Sequence, residues 1–226
     1  MPKDEQPIHI ALIMDGNRRW ARKHQLPVFW GHRRGVHALT EVIKQSLQRK
    51  IPYLTVFAFS TENWQRSASE VGYLMKLFGR AIDHFESFIR RYRIKIRFIG
   101  DRTALASTLR KKMDHLESIS NNNDTLNLTI AINYGSRDEI IRAIRNLNDV
   151  QNCTWEILQQ QCDTKELPDV DLLIRTSGEQ RLSNFLLLQS AYAEIIFSEK
   201  LWPEFSKKDF DEALKIYHCR KRNFGK

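Results

Sequence analysis

The chain has 226 residues, 42% of them apolar and 28% charged, and a formal net charge of +9. That length suits a single domain, residues 1–226, with a real core, and the basic excess points to an anionic partner: nucleic acid, a membrane surface or a substrate carrying several phosphates. Three scattered cysteines exclude a disulfide framework or a structural zinc site, no apolar run is long enough to span a bilayer, and no export signal stands at the start, so a cytoplasmic protein with at most transient membrane association is expected.

Residues 8–14 form an apolar run that ends abruptly in Asp15-Gly16-Asn17-Arg18-Arg19-Trp20. Such a run reads as a buried strand, and Asp-Gly-Asn breaks it in a turn. Gly31-His32 leads into a helix through Arg49, with Val36, Leu39, Ile43 and Leu47 on one stripe. Tyr53–Phe59 is the second strand and meets Ser60-Thr61-Glu62-Asn63-Trp64-Gln65-Arg66. A long helix follows from Ser67 to Tyr92, opened by capping-box spacing between Ser67 and Glu70. Its residues Val71, Leu74, Phe78, Ile82, Phe85 and Ile89 make one apolar stripe, either a core face or the wall of an apolar channel. Further strands are expected at 94–99, 126–133, 170–174 and 193–197, with helices near 102–119, 136–148 and 206–222. Strands alternating with helices predict an α/β fold, with a mostly parallel sheet of about six strands covered by helices on both faces.

Three strand ends carry the chemistry. Asp15 offers hard oxygen ligands suited to Mg²⁺, and Arg18 and Arg19 offer donor forks for phosphate. Ser60, Glu62, Asn63, Trp64 and Arg66 crowd the end of the second strand, where buried polar groups need a ligand or one another. After Ile174 come Arg175, Arg181 and Ser183, with Gly178 between them, a set able to surround a diphosphate. His32 either binds phosphate, relays a proton or caps its helix, and Glu194 is either an edge charge or a second metal ligand. No zinc-finger, RNP-like, Walker A or Gly-x-Gly-x-x-Gly pattern is present, so nucleic-acid, ATPase and dinucleotide readings fall away.

These segments resemble the cis-prenyltransferase family, its undecaprenyl diphosphate synthases in particular. Besides Met14–Trp20, Gly31-His32 and Phe59–Arg66, the resemblance is carried by Asn133-Tyr134-Gly135, Ile174–Glu179, Arg181–Phe185, Tyr192-Ala193-Glu194 and Leu201-Trp202-Pro203. It implies a homodimeric α/β fold with a hydrophobic tunnel beside the long helix. The implied reaction is Mg²⁺-dependent cis-condensation of isopentenyl diphosphate onto an allylic diphosphate, usually farnesyl diphosphate. Asp15 would be the catalytic metal and diphosphate residue. Gly16, Asn17, Arg18, Arg19 and Trp20, with His32 and Arg66, would serve the allylic diphosphate. Ser60, Glu62 and Trp64 would order the loop, Asn63 would belong to the proton-removal machinery, and Arg175, Arg181 and Ser183 would hold isopentenyl diphosphate. Glu194 would assist through Mg²⁺ or across the dimer. Leu74, Phe78, Ile82 and Phe85 would wall the tunnel, with small Ala58 at its mouth and Leu126 at its floor, favouring a long product such as undecaprenyl diphosphate. A short- or medium-chain synthase and a weakly active regulatory subunit are the alternatives. Two departures stand out. Val28 occupies the place where the family commonly has an arginine, with Arg22 or Arg33 as candidate compensators, and Ser177 replaces the first glycine of the commoner Thr-Gly-Gly.

Overall fold

The structure, a computed structural model, describes residues 6–220. Its strands are β1 (His9–Ile13), β2 (Tyr53–Ser60), β3 (Ile94–Ile99), β4 (Leu126–Tyr134), β5 (Leu172–Thr176) and β6 (Glu194–Ser198). They form one sheet in the order β3-β4-β2-β1-β5-β6, and every pairing is parallel. The expected six-stranded α/β sheet is therefore present. Period-2 alternation divides its side chains between two faces. Ile10, Leu12, Leu54 and Val56 enter the larger core cluster, whereas Ala11, Ile13 and Leu173 enter the smaller one. In the smaller core, Phe57 stacks on Phe185 with ring centroids 4.4 Å apart.

The helices are α1 (Asn17–Lys23), α2 (Val28–Gln48), α3 (Ala68–Tyr92), α4 (Ser107–Ser120), α5 (Ser136–Arg145), α6 (Trp155–Gln159) and α7 (Lys207–Cys219). Two of these differ from expectation at the amino-terminal side. Gly16 is left-handed, with φ of 107°, and the chain turns through it directly into α1 instead of a simple turn. α2 begins three residues before Gly31, because Pro27 sets the entry to the helix and lacks the N–H a preceding turn would use. α6 was not foreseen; it is a short helix opened by Thr154, which caps the Ile157 N–H. α4 starts at Ser107, later than the expected 102; the residues before it form a turn closed by the Leu105 N–H on the Arg102 carbonyl, and the Arg102 guanidinium bonds Glu117 and the Phe98 carbonyl. Of the helix expected over 206–222, residues 221 and 222 lie outside the described residues.

β1 is the switch point of the sheet: β2 lies on one side of it and β5 on the other. Loops leaving β1 and β5 therefore diverge from adjacent strand ends and leave a crevice, the usual ligand position in open α/β sheets. At the end of β2, register shifts between Phe57, Phe59 and Ser60 mark a bulge, which turns the polar segment after it toward the same edge.

The short α1 is held against α2 by two glycines. A Cβ on Gly31 would collide with the Asn17 backbone carbonyl, and one on Gly35 with the Asn17 side-chain oxygen. Gly31→Ala is expected to lower stability by about 1–3 kcal/mol, the usual cost of forcing atoms into a packed contact. Thermal unfolding of the variant checks this, and an unchanged midpoint would show that α1 shifts freely.

Candidate active site

Arg175 ends β5 in register with Ile13 of β1, and its side chain is almost entirely buried. One guanidinium nitrogen donates to Asp15 Oδ2 at 2.8 Å, and another donates to Ser183 Oγ and the Arg181 carbonyl, each at 2.6 Å. Its Nε has no partner among the described residues. The other Asp15 oxygen accepts from the Gly16 N–H at 2.6 Å. The Asp15 backbone carbonyl accepts from the Thr176 hydroxyl (2.6 Å) and the Trp202 N–H (2.9 Å). The strand-end turn read from the sequence is thus fixed by the loops after β5 and β6. Arg19 reaches the same place, 3.7 Å from Asp15 and hydrogen-bonded to Ser177. Arg181 points outward to Glu179 and contributes its carbonyl, not its side chain, to the Arg175 cluster.

A second carboxylate organises the other side. Glu70, in the first turn of α3, accepts from Arg66 at 3.0 Å, lies 3.8 Å from Arg18 and 3.6 Å from His32 Nε2. Arg18 and Arg19 therefore diverge, one to each carboxylate. Burial first, and the nearby Arg66 charge second, lower the His32 pKa from 6.5 to about 4. His32 is neutral at physiological pH. The sequence marks Glu70 only as a capping partner of Ser67. Its N–H does bond to Ser67 Oγ, but its carboxylate serves the arginines, and the spacing Arg66–Glu70 was the signal for that pairing.

The segment after β2 is a 3₁₀ turn, Thr61–Gln65, capped reciprocally by Ser60 and Asn63. Asn63 accepts the Ser60 N–H at 3.2 Å. Trp64 donates from its ring nitrogen to Asn133 at 2.7 Å. Glu62 accepts from Asn184 at 3.1 Å. Burial works against ionisation of Glu62, but hydrogen bonds from its own N–H and from Asn184 outweigh it and hold the pKa below the usual value. Ser183 and Asn184 are both left-handed, with φ of 51° and 63°, so this loop stores strain while presenting Ser183 to Arg175 and Asn184 to Glu62.

Between α2, α3 and the sheet lies an apolar cavity with about 880 Å³ of empty space including its open part. Asn17 and His32 contribute its polar atoms. Leu74, Phe78, Ile82 and Phe85 of α3 line it, along about 16 Å of helix axis at 1.5 Å per residue. Ala58 lines it too. Leu126, expected at the floor, is fully buried at the start of β4, and Leu128 two residues further along the same face takes the wall position. Asn17 Oδ1 and His32 Nε2 are buried without hydrogen-bond partners among the described residues. Two unsatisfied polar atoms at an apolar cavity are costly unless a polar ligand end meets them.

Glu194 does not join Asp15 within one chain. It opens β6 in register with Leu172, which pairs with Ile10, so it sits at the amino end of the sheet while Asp15 lies beyond the carboxyl end. Its carboxylate is taken by Arg220 at 2.6 Å. Nor do the proposed substitutes for an arginine at Val28 turn inward: Arg33 lies over the Trp30 ring, 5.1 Å from its centroid, and Arg22 is exposed. Among the described residues no group of three or more His, Cys, Asp or Glu side chains is placed to hold a metal. Mg²⁺ commonly takes one or two carboxylates with substrate phosphates and waters. The single carboxylate of Asp15 fits that partial donor set.

Two predictions follow from this geometry. Ser177 has φ of 81°, which suits glycine, so Ser177→Gly is expected to raise stability by about 1 kcal/mol while removing the Arg19 contact, as read from the unfolding midpoint. The second concerns pH. His9, fully buried, donates from Nδ1 to the Pro168 carbonyl and accepts the Thr55 hydroxyl proton at Nε2; burial lowers its pKa to about 4, as for His32. The unfolded chain takes up these protons near pH 6.5 and the folded one only near 4, so stability is complete above 6.5 and falls as pH drops through that window. The loss approaches about 1.4 kcal/mol per pKa unit for each group, discounted for partial exposure of His32. Thermal unfolding between pH 7 and 4.5 measures it, and a flat profile would contradict the neutral buried histidines.

Comparison with known proteins gives a consistent answer. The family model described as putative undecaprenyl diphosphate synthase matches residues 13–225. An isoprenyl transferase of Thermotoga maritima is 47% identical over 97% of this chain and 97% of that protein. A ditrans,polycis-undecaprenyl-diphosphate synthase of Pasteurella multocida, farnesyl-diphosphate specific, is 44% identical over 97% of this chain and 95% of its own. Among solved structures, lavandulyl diphosphate synthase from Lavandula x intermedia, in complex with dimethylallyl diphosphate, superposes with a TM-score of 0.94 at 33% identity, covering 98% and 99% of the two chains. A probable undecaprenyl diphosphate synthase from Campylobacter jejuni gives 0.85 at 35% identity, covering 98% of this chain and 100% of the other.

Proposed function

Because the chain belongs to the undecaprenyl diphosphate synthase family of cis-prenyltransferases, we propose that it condenses isopentenyl diphosphate repeatedly with farnesyl diphosphate to make a long-chain polyprenyl diphosphate, undecaprenyl diphosphate. Membership carries cis-prenyltransferase activity on substrates of the isopentenyl and farnesyl diphosphate type. The observation that supports the fuller reading is a cluster of cations, Arg18, Arg66, Arg19 and Arg175, set where an apolar cavity ends in unsatisfied polar atoms. A diphosphate headed by a hydrocarbon chain satisfies both parts.

In this reading Arg18, Arg19 and Arg66, with neutral His32 and Asn17, receive the allylic diphosphate, and the prenyl tail enters the cavity as a tunnel. Arg175, Ser183 and Arg181 receive isopentenyl diphosphate. The new bond forms between the allylic C1 and the terminal alkene carbon as diphosphate departs, and a proton passes from the incoming unit to an oxygen of the departing diphosphate, restoring a double bond. Mg²⁺ held by Asp15 would neutralise charge developing on the departing diphosphate. The fixed arginine donors act on the same charge without reorganising. We assign Asn63 to orienting the groups around the departing proton, since a carboxamide is not itself a base. Ser60, Glu62 and Trp64 hold that loop in place. Each added five-carbon unit gains roughly 4 kcal/mol if fully buried, at about 0.8 kcal/mol per methylene-sized group, which favours continued extension and slows release.

Glu194 can act on the metal only across a homodimer, the option the single-chain geometry leaves open. The outer edge of β6 and exposed Tyr192 are consistent with such an assembly. The intact cation cluster argues against a weakly active regulatory subunit.

Asp15→Ala should fold but lose at least about a hundredfold in turnover, because the main carboxylate among the cations is removed. Purified protein incubated with Mg²⁺, farnesyl diphosphate and labelled isopentenyl diphosphate, followed by product sizing, tests this. Near-normal turnover in the variant would sink the assignment, and products of only a few units would replace the long-chain reading by a short-chain one. Val28→Arg should lower the allylic KM severalfold by restoring a charge-assisted phosphate contact. An unchanged KM would mean the existing arginines already saturate the site.

A further inference from the structure

Residues 16 to 40 contain no aspartate or glutamate, yet carry Arg18, Arg19, Arg22, Lys23, Arg33 and Arg34. Arg18, Arg19 and Lys23 are engaged by Glu70, Asp15 and Glu204. Arg22, Arg33 and Arg34 are exposed and, among the described residues, have no carboxylate against them. Arg33 instead covers the Trp30 ring, and Arg34 contacts His37 at 3.4 Å.

α2 thus has two opposed faces. Gly31, Gly35, Ala38 and Val42 are buried, whereas Phe29, Trp30, Arg33, Arg34 and His37 recur at helical spacing on the outside. Leu26, Phe29 and Trp30 are 39%, 40% and 41% exposed, and the Phe29 and Trp30 rings lie 5.6 Å apart, so large apolar side chains within five residues face water. The patch continues onto α3: the Tyr73 hydroxyl donates to the Phe29 carbonyl at 3.3 Å, and the two rings are 5.7 Å apart. It therefore bridges the amino ends of α2 and α3, the same helices that wall the apolar cavity.

We propose that this face docks on an anionic phospholipid surface, with Leu26, Phe29 and Trp30 entering the interfacial layer and Arg22, Arg33 and Arg34 meeting lipid phosphates. Charge complementarity selects a lipid surface: an acid-free basic segment suits anionic headgroups, and interleaved aromatic rings suit the headgroup boundary, where Trp is favoured. No helix among the described residues is long and apolar enough to cross a membrane, so the contact is one of lying on the surface. A role in releasing a long prenyl product into the bilayer rests on the proposed function; the docking itself does not.

The test is co-sedimentation of the full-length protein with vesicles of phosphatidylcholine alone and of phosphatidylcholine mixed with phosphatidylglycerol. The protein is expected to partition at least about tenfold more strongly onto the anionic vesicles, and Phe29→Ser/Trp30→Ser and Arg22→Gln/Arg34→Gln each to lose about tenfold of that binding. Turnover of Phe29→Ser/Trp30→Ser in detergent should stay unchanged. Equal binding of wild type and both variants, or equal binding to neutral vesicles, would overturn the proposal. So would a change in oligomeric state in Phe29→Ser/Trp30→Ser by analytical ultracentrifugation, which would assign the patch to an interface between copies. Vesicle binding is read without catalysis, so a protein that docks but makes no polyprenyl product would overturn the enzymatic reading alone.

Discussion

The Arg175 guanidinium sits inside the carboxyl edge of the sheet, and the site is arranged around its need for partners. A buried cation is expensive unless it is paired with an opposite charge and hydrogen-bonded. Here Asp15 arrives from the end of β1, while Ser183 and the Arg181 carbonyl come from the loop after β5. Satisfying that one charge orients two loops whose sequences are about 160 residues apart. It also explains why Ser183 and Asn184 are kept in left-handed backbone: relaxing them would withdraw the hydroxyl from Arg175 and the amide from Glu62. Buried ion pairs add little net stability, so the gain here is in orientation, and a phosphate ligand benefits from donors already in place.

Glu70 plays the corresponding part on the α3 side. With Arg66 and Arg18 gathered on its carboxylate and His32 beside it, these cations, expected at the allylic diphosphate, are partly neutralised. Like charges this close would otherwise repel and splay. Two carboxylates, one at each strand-end cluster, thus let a protein of net charge +9 concentrate arginines at one edge of its sheet. In the proposed function an arriving diphosphate would compete with Glu70 for the same donors, which ties its binding to the first turn of the helix that walls the cavity.

Most of this was legible in the sequence, for a specific reason. Parallel strands buried on both faces are nearly continuous apolar runs, so their ends are sharp, and Asp15, Ser60 and Arg175 each stand at such an end. Parallel topology then places all those ends on one edge. The same rule sets Glu194 apart: it starts its strand, and in a parallel sheet a strand start lies on the opposite edge from the site, so of the two roles the resemblance implies only the one across a dimer stays open. Leu126 shows the limit in another way. Its character is right for a cavity wall, but which apolar residue along a face lines the space and which is packed behind it depends on α4 and α3, whose separation no local pattern encodes. α1 was hidden because its seven residues after a left-handed glycine, five of them polar or charged, carry too little apolar periodicity, and its stability comes from contact with α2.

α2 connects these levels. Its inner face must be glycine at positions 31 and 35 so that Asn17 can approach, and that approach leaves Asn17 Oδ1 buried at the cavity with no protein partner. The helix therefore creates the unsatisfied atom that a polar ligand end would meet. Its outer face is freed from core duty by the same close packing on the inside, since small residues there already settle the contact. That freedom is filled with aromatic and basic side chains. In the proposed allylic site Arg18, Arg19 and Arg66 are each already held by a carboxylate in the free protein. Binding at this site is accordingly an exchange of one set of anions for another, and its strength depends on how readily Glu70 and Asp15 give up their arginines.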